Sequence, residues 1–586
     1  MPSTRRPSSA DSRPLLEDRP PSYHSVRDDH VDEDAESPPY SDATPPPLNT
    51  FSKSDTCWIL AGLWSGVFLG AFDGKSSLPT CNPSTVVATL LTPIGSDFSA
   101  SNQASYIGTA YLLSVCCFTP LYGRLADLMG RKGAMLLALT LFGSGTIICG
   151  FATSMEALIA ARALAGMGGG GVMTVSSITV TDMIPLKQRG LYQGMANILY
   201  GLGAGLGGPI GGWVNDTFGW RSAFIMQAPL LLFSFVIVAT KVNIRLPPEV
   251  ENRTVAERLQ SIDYLGSFTL VLSVACLLLG FSLKSAEEIP WSHPWIWGLF
   301  LVSFISGTAF VLVEQYWAPF PVMPLRLITQ RTPLAVSISN LLGSMSAFSM
   351  MYNVPLYFSA VRLENASMSG LHLLPHSIAI STGSVFAGWV MRKTGKLYTL
   401  TLASALLTVI ASVMVACWNS DSSPIHLWLD LFPQGFGMAS LITSTLIAMI
   451  AGVYKEDMAI ATGITYLFRT TGQVLGVSLS GAVLQAVLLQ KLRQRITGPD
   501  AAEIIYAIRH TTDIIPTLEP AIKQAAVASY ADALRVVFIC QAAINILVFI
   551  SSLPIQESVL PGTREEQEAH YRNQNNGTDD HTREGD

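Results

Sequence analysis

Residues 190–213 read GLYQGMANILYGLGAGLGGPIGGW, and the spacing of Gly194, Gly203, Gly207 and Gly212 returns in Gly463, Gly472, Gly476 and Gly481. Both sets lie on apolar runs of the length, about 20 residues, that a helix needs to cross a hydrocarbon core. A second matched pair precedes them in the same order. Gly123 and Gly130 are followed by Arg131, and Gly388 and Gly395 by Lys396, each at the polar end of an apolar run. Two matched elements in one order point to a duplicated membrane body.

Composition agrees. With 49% apolar and 13% charged residues over 586 positions and a mean hydropathy of +0.38, one soluble core cannot hide the apolar surface, so the lipid bilayer must be the solvent. The net charge of -6 resides mostly in tails and short connections; it implies no basic partner, and nucleic acid is not indicated. The eight cysteines, Cys57, Cys81, Cys116, Cys117, Cys149, Cys276, Cys417 and Cys540, fall mostly in or beside apolar runs, where a small hydrophobe packs well. Their spacing gives no disulfide framework and no metal site, and no cofactor is expected.

Residues 1–54 carry Pro, Ser, Asp and Arg without an apolar run, so a disordered cytosolic tail is expected, not a cleavable signal peptide. A second such tail is expected over 556–586. Between them lie fourteen apolar spans, at 56–74, 103–122, 133–152, 156–178, 190–213, 221–240, 264–283, 295–314, 333–358, 368–391, 397–417, 426–451, 460–486 and 533–553. Basic connections at Arg124 to Lys132, Lys187 to Arg189, Arg326 to Arg331, Arg392 to Lys396 and Lys455 fall on one side, which the positive-inside rule makes cytosolic. Both tails then lie in the cytosol, and 487–532 becomes a long luminal loop with amphipathic helical content. Sequons at Asn215 and Asn365 face away from the cytosol and are glycosylation candidates, whereas those at Asn252 and Asn576 do not.

The expected fold is an all-α membrane protein. The glycine match pairs spans 1–6 with spans 9–14 and predicts an N-terminal six-helix bundle over 55–245 and a C-terminal one over 326–555. Two inserted central helices occupy 246–325.

The connection after span 2 reads Gly123-Arg124-Leu125-Ala126-Asp127-Leu128-Met129-Gly130-Arg131-Lys132 and resembles the signature loop of the major facilitator superfamily. Ala161-Arg162-Ala163-Leu164-Ala165-Gly166-Met167-Gly168 is similar to that superfamily's intramembrane arginine motif. Gly201 through Gly212, with Gly207-Gly208-Pro209-Ile210-Gly211-Gly212, resembles its antiporter motif. With fourteen spans and Gly219-Trp220-Arg221 leading into span 6, residues 55–555 resemble the fourteen-span drug:proton antiporter family. Thr85-Val86-Val87-Ala88-Thr89-Leu90 and Thr181-Asp182-Met183-Ile184-Pro185 narrow the likeness toward fungal vacuolar amino acid permeases. The resemblance implies exchange of a small cationic or amphipathic solute against protons.

Asp73 lies near the end of span 1, and an ionisable group at membrane depth is costly enough to make it a candidate proton or cation site. Read blandly, it is a helix-end carboxylate reaching the interface. Arg162, with Glu156 a turn and a half away, needs a partner or a water cavity. It either tunes the proton-carrying carboxylate or joins spans 1 and 4 as a structural pair. Arg124, Asp127 and Arg131, framed by Gly123 and Gly130, suit a charge-paired latch holding one of two alternating states, against the plainer reading of a solvated loop. In span 5, Gly203, Gly207, Gly208 and Gly212 would admit a neighbouring helix closely and Pro209 would loosen the ladder; span 13 has Ser478 in place of that proline. Arg469 and Gln473 share a face by i, i+4 spacing and are cavity-lining or helix-end candidates. Asn353, Asn340, Tyr352 and Gln227 are polar-contact candidates, each with a structural hydrogen bond as the alternative.

Residues 75–84, KSSLPTCNPS, interrupt span 1; without them Gly74 would join Thr85 in one continuous span. As written, they either break a helix that lines a transport site or mark an alternative splice product. Asp11, Leu15 and Leu16 fit the acidic dileucine spacing read by a sorting adaptor for vacuole or lysosome. Together these features predict a proton-driven exporter of small cationic solutes, basic amino acids foremost, in the vacuolar membrane. A plasma-membrane multidrug or toxin exporter is the alternative in mechanism, and a non-transporting receptor or scaffold the alternative in class. No nucleophile–base set, metal cluster or phosphate loop suggests an enzyme.

Overall fold

Gly130 splits what would otherwise be a single 48-residue helix: at φ 80°, ψ 159° it interrupts Ala104–Phe151 with a conformation that side chains avoid. The interruption falls where the matched basic connection was expected. A computed structural model describes residues 52–73, 86–98, 103–243, 262–286, 292–318, 321–364, 366–419, 422–498, 500–510, 512–558, 560–561 and 566 of the protein. Among these residues there are helices and no strands.

In chain order the helices are α1 (Lys53–Asp73), α2 (Val86–Asp97), α3 (Ala104–Phe151), α4 (Met155–Met183), α5 (Leu186–Phe218), α6 (Trp220–Ile225) and α7 (Ala228–Lys241). Then come α8 (Tyr264–Ala286), α9 (Pro294–Tyr316), α10 (Leu325–Thr329), α11 (Arg331–Ala360), α12 (Ala366–Leu371) and α13 (Leu374–Thr394). The last are α14 (Tyr398–Ala416), α15 (Pro424–Leu429), α16 (Leu431–Ala451), α17 (Met458–Arg495), α18 (Ala501–His510) and α19 (Pro520–Ser552). Eleven described stretches are long and apolar enough to cross a membrane, and the one within α3 contains the Gly130 break. Helices α5 and α13, rich in glycine and hydroxyl residues, are not among the eleven.

Helices α1 to α7 pack on one another, with α3 on α4 and α1 on both α5 and α7; α11 to α19 form a second set in which α13 packs on α16 and α11 on α17 and α19. The sets meet through α5 on α13 and α3 on α17, while α8 lies against α3, α17 and its partner α9. Helix α9 exposes Trp295, Trp297, Leu301, Phe304, Ile305, Leu312, Tyr316 and Trp317. Aromatics at both ends of an apolar helix about 35 Å long suit the two edges of a bilayer.

The glycine repeat now has a structural meaning. A Cβ on Gly203 would strike the carbonyl of Phe68 in α1, and one on Gly472 would strike that of Leu341 in α11. Gly194 abuts Val385 of α13, while Gly463 abuts Pro120 and Gly123 of α3. The two copies therefore make the same contacts, each once within its own set and once across to the other. Small residues allow such approach where lipid offers helices no hydrophobic drive to associate.

Three regions depart from expectation. Helix α17 continues to Arg495 and α19 already starts at Pro520, so the connection is shorter than the 487–532 expected, and α18 (Ala501–His510) lies within it. Leu488, Leu492, Ile505, Ile508, Ala526 and Tyr530 share one buried cluster, which holds both extensions beyond the apolar spans. The second region is the beginning of the expected disordered 556–586 tail, which docks instead. The Glu557 carboxylate accepts from the backbone of Leu397 (2.7 Å) and Tyr398 (3.1 Å), and the Pro561 carbonyl accepts from Lys187 (3.3 Å). Finally, the interruption after Asp73 leaves α2 as a separate helix, whose Val87, Leu90, Leu91 and Ile94 are buried against Phe72, Ile107 and Val214. Residues 75–84 themselves lie outside the described residues, as do Asn252, Asn365, Asn576 and the Asp11, Leu15, Leu16 motif.

Candidate functional site

Two ionisable groups meet in the N-terminal set. Arg162 Nη1 donates to Asp73 Oδ2 at 2.5 Å, Nη2 reaches the Asp73 carbonyl at 3.2 Å, and both side chains are 0% exposed. Gln227 Nε2 approaches Asp73 Oδ1 at 3.5 Å. Three of the expected site residues, from α1, α4 and the α6–α7 junction, thus form one cluster. The partner of Arg162 is Asp73 and not Glu156, which is exposed. Burying two charges is costly, so the pair persists only because each satisfies the other. The guanidinium also lies 4.4 Å from the centroid of the Tyr111 ring, and Tyr111 links this cluster to the centre of the molecule.

That centre is a cavity of about 230 Å³ between the two helix sets. Tyr111, Ser176, Ser177, Gln193, Asn197 and Tyr200 line it from one set, and Ser344, His376, Tyr466, Arg469 and Gln473 from the other, with Met173, Met351, Met438, Phe348 and Trp64 between them. Arg469 and Gln473 both lie on its wall. Asp73, Arg162 and Gln227 are not among its described lining residues, and neither is any Asp, Glu or Lys. Asn353 lies elsewhere, donating to Ser349 O (2.6 Å) and Ser480 Oγ (3.1 Å) as a structural hydrogen bond. Asn340 also bonds within the bundle, to Val336 O (2.9 Å) and Thr445 Oγ1 (3.2 Å), and accepts from Arg469 Nη2 at 3.3 Å.

The end of the molecule that carries the basic connections is closed across the sets. Gly123 abuts the Ala459 carbonyl, Gly190 abuts Gly388, and Asn197 Nδ2 donates to Ser384 Oγ at 2.7 Å. Arg131 spans Asp127 (2.8 Å) and Asp182 (2.6 Å), locking the Gly130 bend to the end of α4. Arg124, in α3, faces Asp127, Asp457 and Glu314 electrostatically, so this part of α3 addresses both helix sets. Asp457, just before α17, pairs with Arg326 at 2.9 Å; burial pushes its carboxyl up from the usual range, opposed by that arginine.

The span 5 glycines divide. Gly203, Gly207 and Gly208 are buried, whereas a Cβ at Gly212 would meet nothing within 4 Å and Pro209 is exposed in a helix that runs through it. Asn215 ends α5, bonded to Asp216 at 3.2 Å on the side opposite the basic connections. Asp182 entered the sequence reading only within a string of family likeness, and His376, Asn197 and the cavity tyrosines were not singled out. Histidine and asparagine within apolar runs carry the signal of an intramembrane polar residue; tyrosine does not, because interface anchors use it equally.

Crossing helices throughout the described residues, a repeated packing pattern and a largely apolar central cavity with polar groups set in its wall suit a membrane transporter, and residues 63–477 match the Major Facilitator Superfamily. The chain belongs to that superfamily: it is a multi-pass membrane transporter of small molecules, seated in a lipid bilayer, and not an enzyme. It is 38% identical over 506 residues to Multidrug resistance protein fnx1 of Schizosaccharomyces pombe, covering 86% of this chain and 93% of that one. Over 479 residues it is 31% identical to Vacuolar basic amino acid transporter 1 of Saccharomyces cerevisiae, covering 76% and 81%. The human organic anion transporter MFSD10 (TETRAN) superposes with a TM-score of 0.53 at 15% identity, covering 86% of this chain and all of that one, which shows the fold.

Proposed function

We propose that the protein exchanges small cationic solutes, basic amino acids foremost, for luminal protons across the vacuolar membrane. Its acidic dileucine motif would be read by a sorting adaptor, and the relative named as a vacuolar basic amino acid transporter supports the location and cargo. The observation that carries the mechanism is the buried Asp73–Arg162 pair joined to the cavity through Tyr111. Protonating Asp73 releases Arg162 from its partner, and a buried arginine left alone favours a different helix arrangement; that couples a proton to the exchange of states. Asp127, Arg131 and Arg124 with Gly123 and Gly130 act as the latch of the cytosol-closed state.

The test is uptake of labelled arginine and lysine into purified vacuolar vesicles with ATP-driven acidification on or off. Uptake that requires acidification and is lost in Asp73→Asn supports the reading; uptake indifferent to both contradicts it. A multidrug exporter is the second reading, favoured by Met173, Met351, Met438 and Phe348 on the cavity wall, since methionine surfaces adapt to varied ligands. Against it, 230 Å³ is small beside the roughly 300–1,000 Å³ of drug-sized sites. Competition of arginine uptake by large lipophilic cations separates the two.

A further inference from the structure

Among the described residues two arginines lie buried near the centre, Arg162 with an acidic partner and Arg469 without one. Arg162 is neutralised by Asp73. Arg469 is 8% exposed and makes no ion pair among the described residues; its Nη2 donates to Asn340 at 3.3 Å and its Nε is buried without a hydrogen-bond partner. The Tyr466 ring lies under the guanidinium, its centroid 4.9 Å away, and the group borders the cavity. Asn340 is fixed in turn by Val336 and Thr445, so the guanidinium is held in one orientation. A buried guanidinium without an anion is very unfavourable in a membrane protein unless something arrives to pair with it. The described cavity wall offers no carboxylate.

We propose that Arg469 receives a carboxylate of the cargo, so the cavity selects zwitterionic or acid-bearing solutes, and the cargo's cationic end rests on the aromatic faces of Trp64 and Tyr192. This rests on the reading of the cavity as the transport site. Guanidinium and carboxylate match in planar, two-bonded geometry. Across the cavity, in the other helix set, the rings of Trp64 and Tyr192 stand 6.5 Å apart, and an indole face is the strongest aromatic host for a cation. A basic amino acid bound this way needs no acidic residue on the wall, which accounts for a cationic cargo in a cavity whose described charged residue is an arginine. It also bridges the two sets whose relative motion would carry it.

The experiment compares binding to the purified full-length protein of three matched pairs: arginine with agmatine, lysine with cadaverine, and 3-phenylpropionate with 3-phenylpropanol. In each pair that binds, the carboxylate member is expected to bind at least about tenfold more tightly, the worth of a charge-assisted hydrogen-bonded pair. Arg469→Gln brings arginine down to the level of agmatine and leaves agmatine within about twofold; Arg469→Lys retains part of the preference. Trp64→Leu weakens arginine and agmatine alike. Wild-type protein that binds arginine and agmatine equally overturns the Arg469 assignment while leaving the transport reading in place. Protein that binds neither basic amino acid but prefers phenylpropionate keeps the anchor and removes the basic cargo. No preference in any pair, a result that needs no variant to fold, removes the anchor.

Discussion

Gly190 of α5 and Gly388 of α13 meet backbone to backbone: a methyl group on Gly388 would fall on the Gly190 peptide. This contact is the tightest point of the seal at the end bearing the basic connections, and its repeat counterpart is Gly123 against the Ala459 carbonyl. Gly388→Val is therefore expected to open that end and raise labelling of cavity positions from the membrane face it borders, while Gly212→Ala, with nothing within 4 Å of its Cβ, leaves labelling and transport unchanged. Measuring thiol labelling of both variants checks this; an unchanged Gly388→Val protein contradicts the seal.

Removing one member of the buried Asp73–Arg162 pair strands the other. Arg162→Gln is expected to cost about 3–5 kcal/mol of stability, whereas Asp73→Asn with Arg162→Gln costs less than the sum of those two single changes. Thermal melting of the three proteins in detergent checks the coupling. Strict additivity would show that the two groups do not act as a pair.

A pH effect is expected at the end opposite the basic connections. The hydrogen bond from Arg221, helped by that from the Trp220 indole, holds the Asp97 carboxyl below its usual 3.8. A lowered carboxyl stabilises the fold above its unfolded value and loses that contribution as pH falls through the lowered one. Asp97→Asn should thus destabilise slightly at neutral pH, by less than about 1 kcal/mol for so exposed a pair. The difference should vanish in strong acid, and a melting-temperature gap that instead grows below pH 3.8 would reverse the sign argued here.

Much of the fold was legible because lipid imposes length and apolarity on every crossing helix, and because Gly194, Gly203 and Gly472 mark the repeat at positions where a side chain would collide, with Gly463 in close approach to α3. The site was legible only in part. Asp73, Arg162 and Arg469 stand out as charges in apolar runs, but nothing in their spacing says that Asp73 meets Arg162, 89 positions away, or that Arg469 meets no acid among the described residues. Tyr111 and Tyr200 gave no signal at all. The extension of α17 and α19 was hidden because Leu488, Leu492 and Tyr530 are buried by each other and not by lipid.

The docked segment after α19 gives another test. Glu557→Ala removes the acceptor of two backbone N–H groups and is expected to cost about 0.5–1.5 kcal/mol per bond. Ending the chain before Ile555 costs more, because Ile555 and Leu560 are also buried. Equal melting temperatures for the wild-type and truncated proteins would mean that the segment contributes no stability.

Alternating exposure of the central cavity is the claim on which the mechanism stands. The most direct measurement places a single cysteine at Ala439, a cavity-lining position without a chemical role, in a cysteine-free protein, and labels it with an impermeant thiol reagent from each membrane face. The account predicts reaction from both faces, with arginine and a proton gradient shifting the balance between them. Reaction from one face alone, unmoved by either, would contradict it.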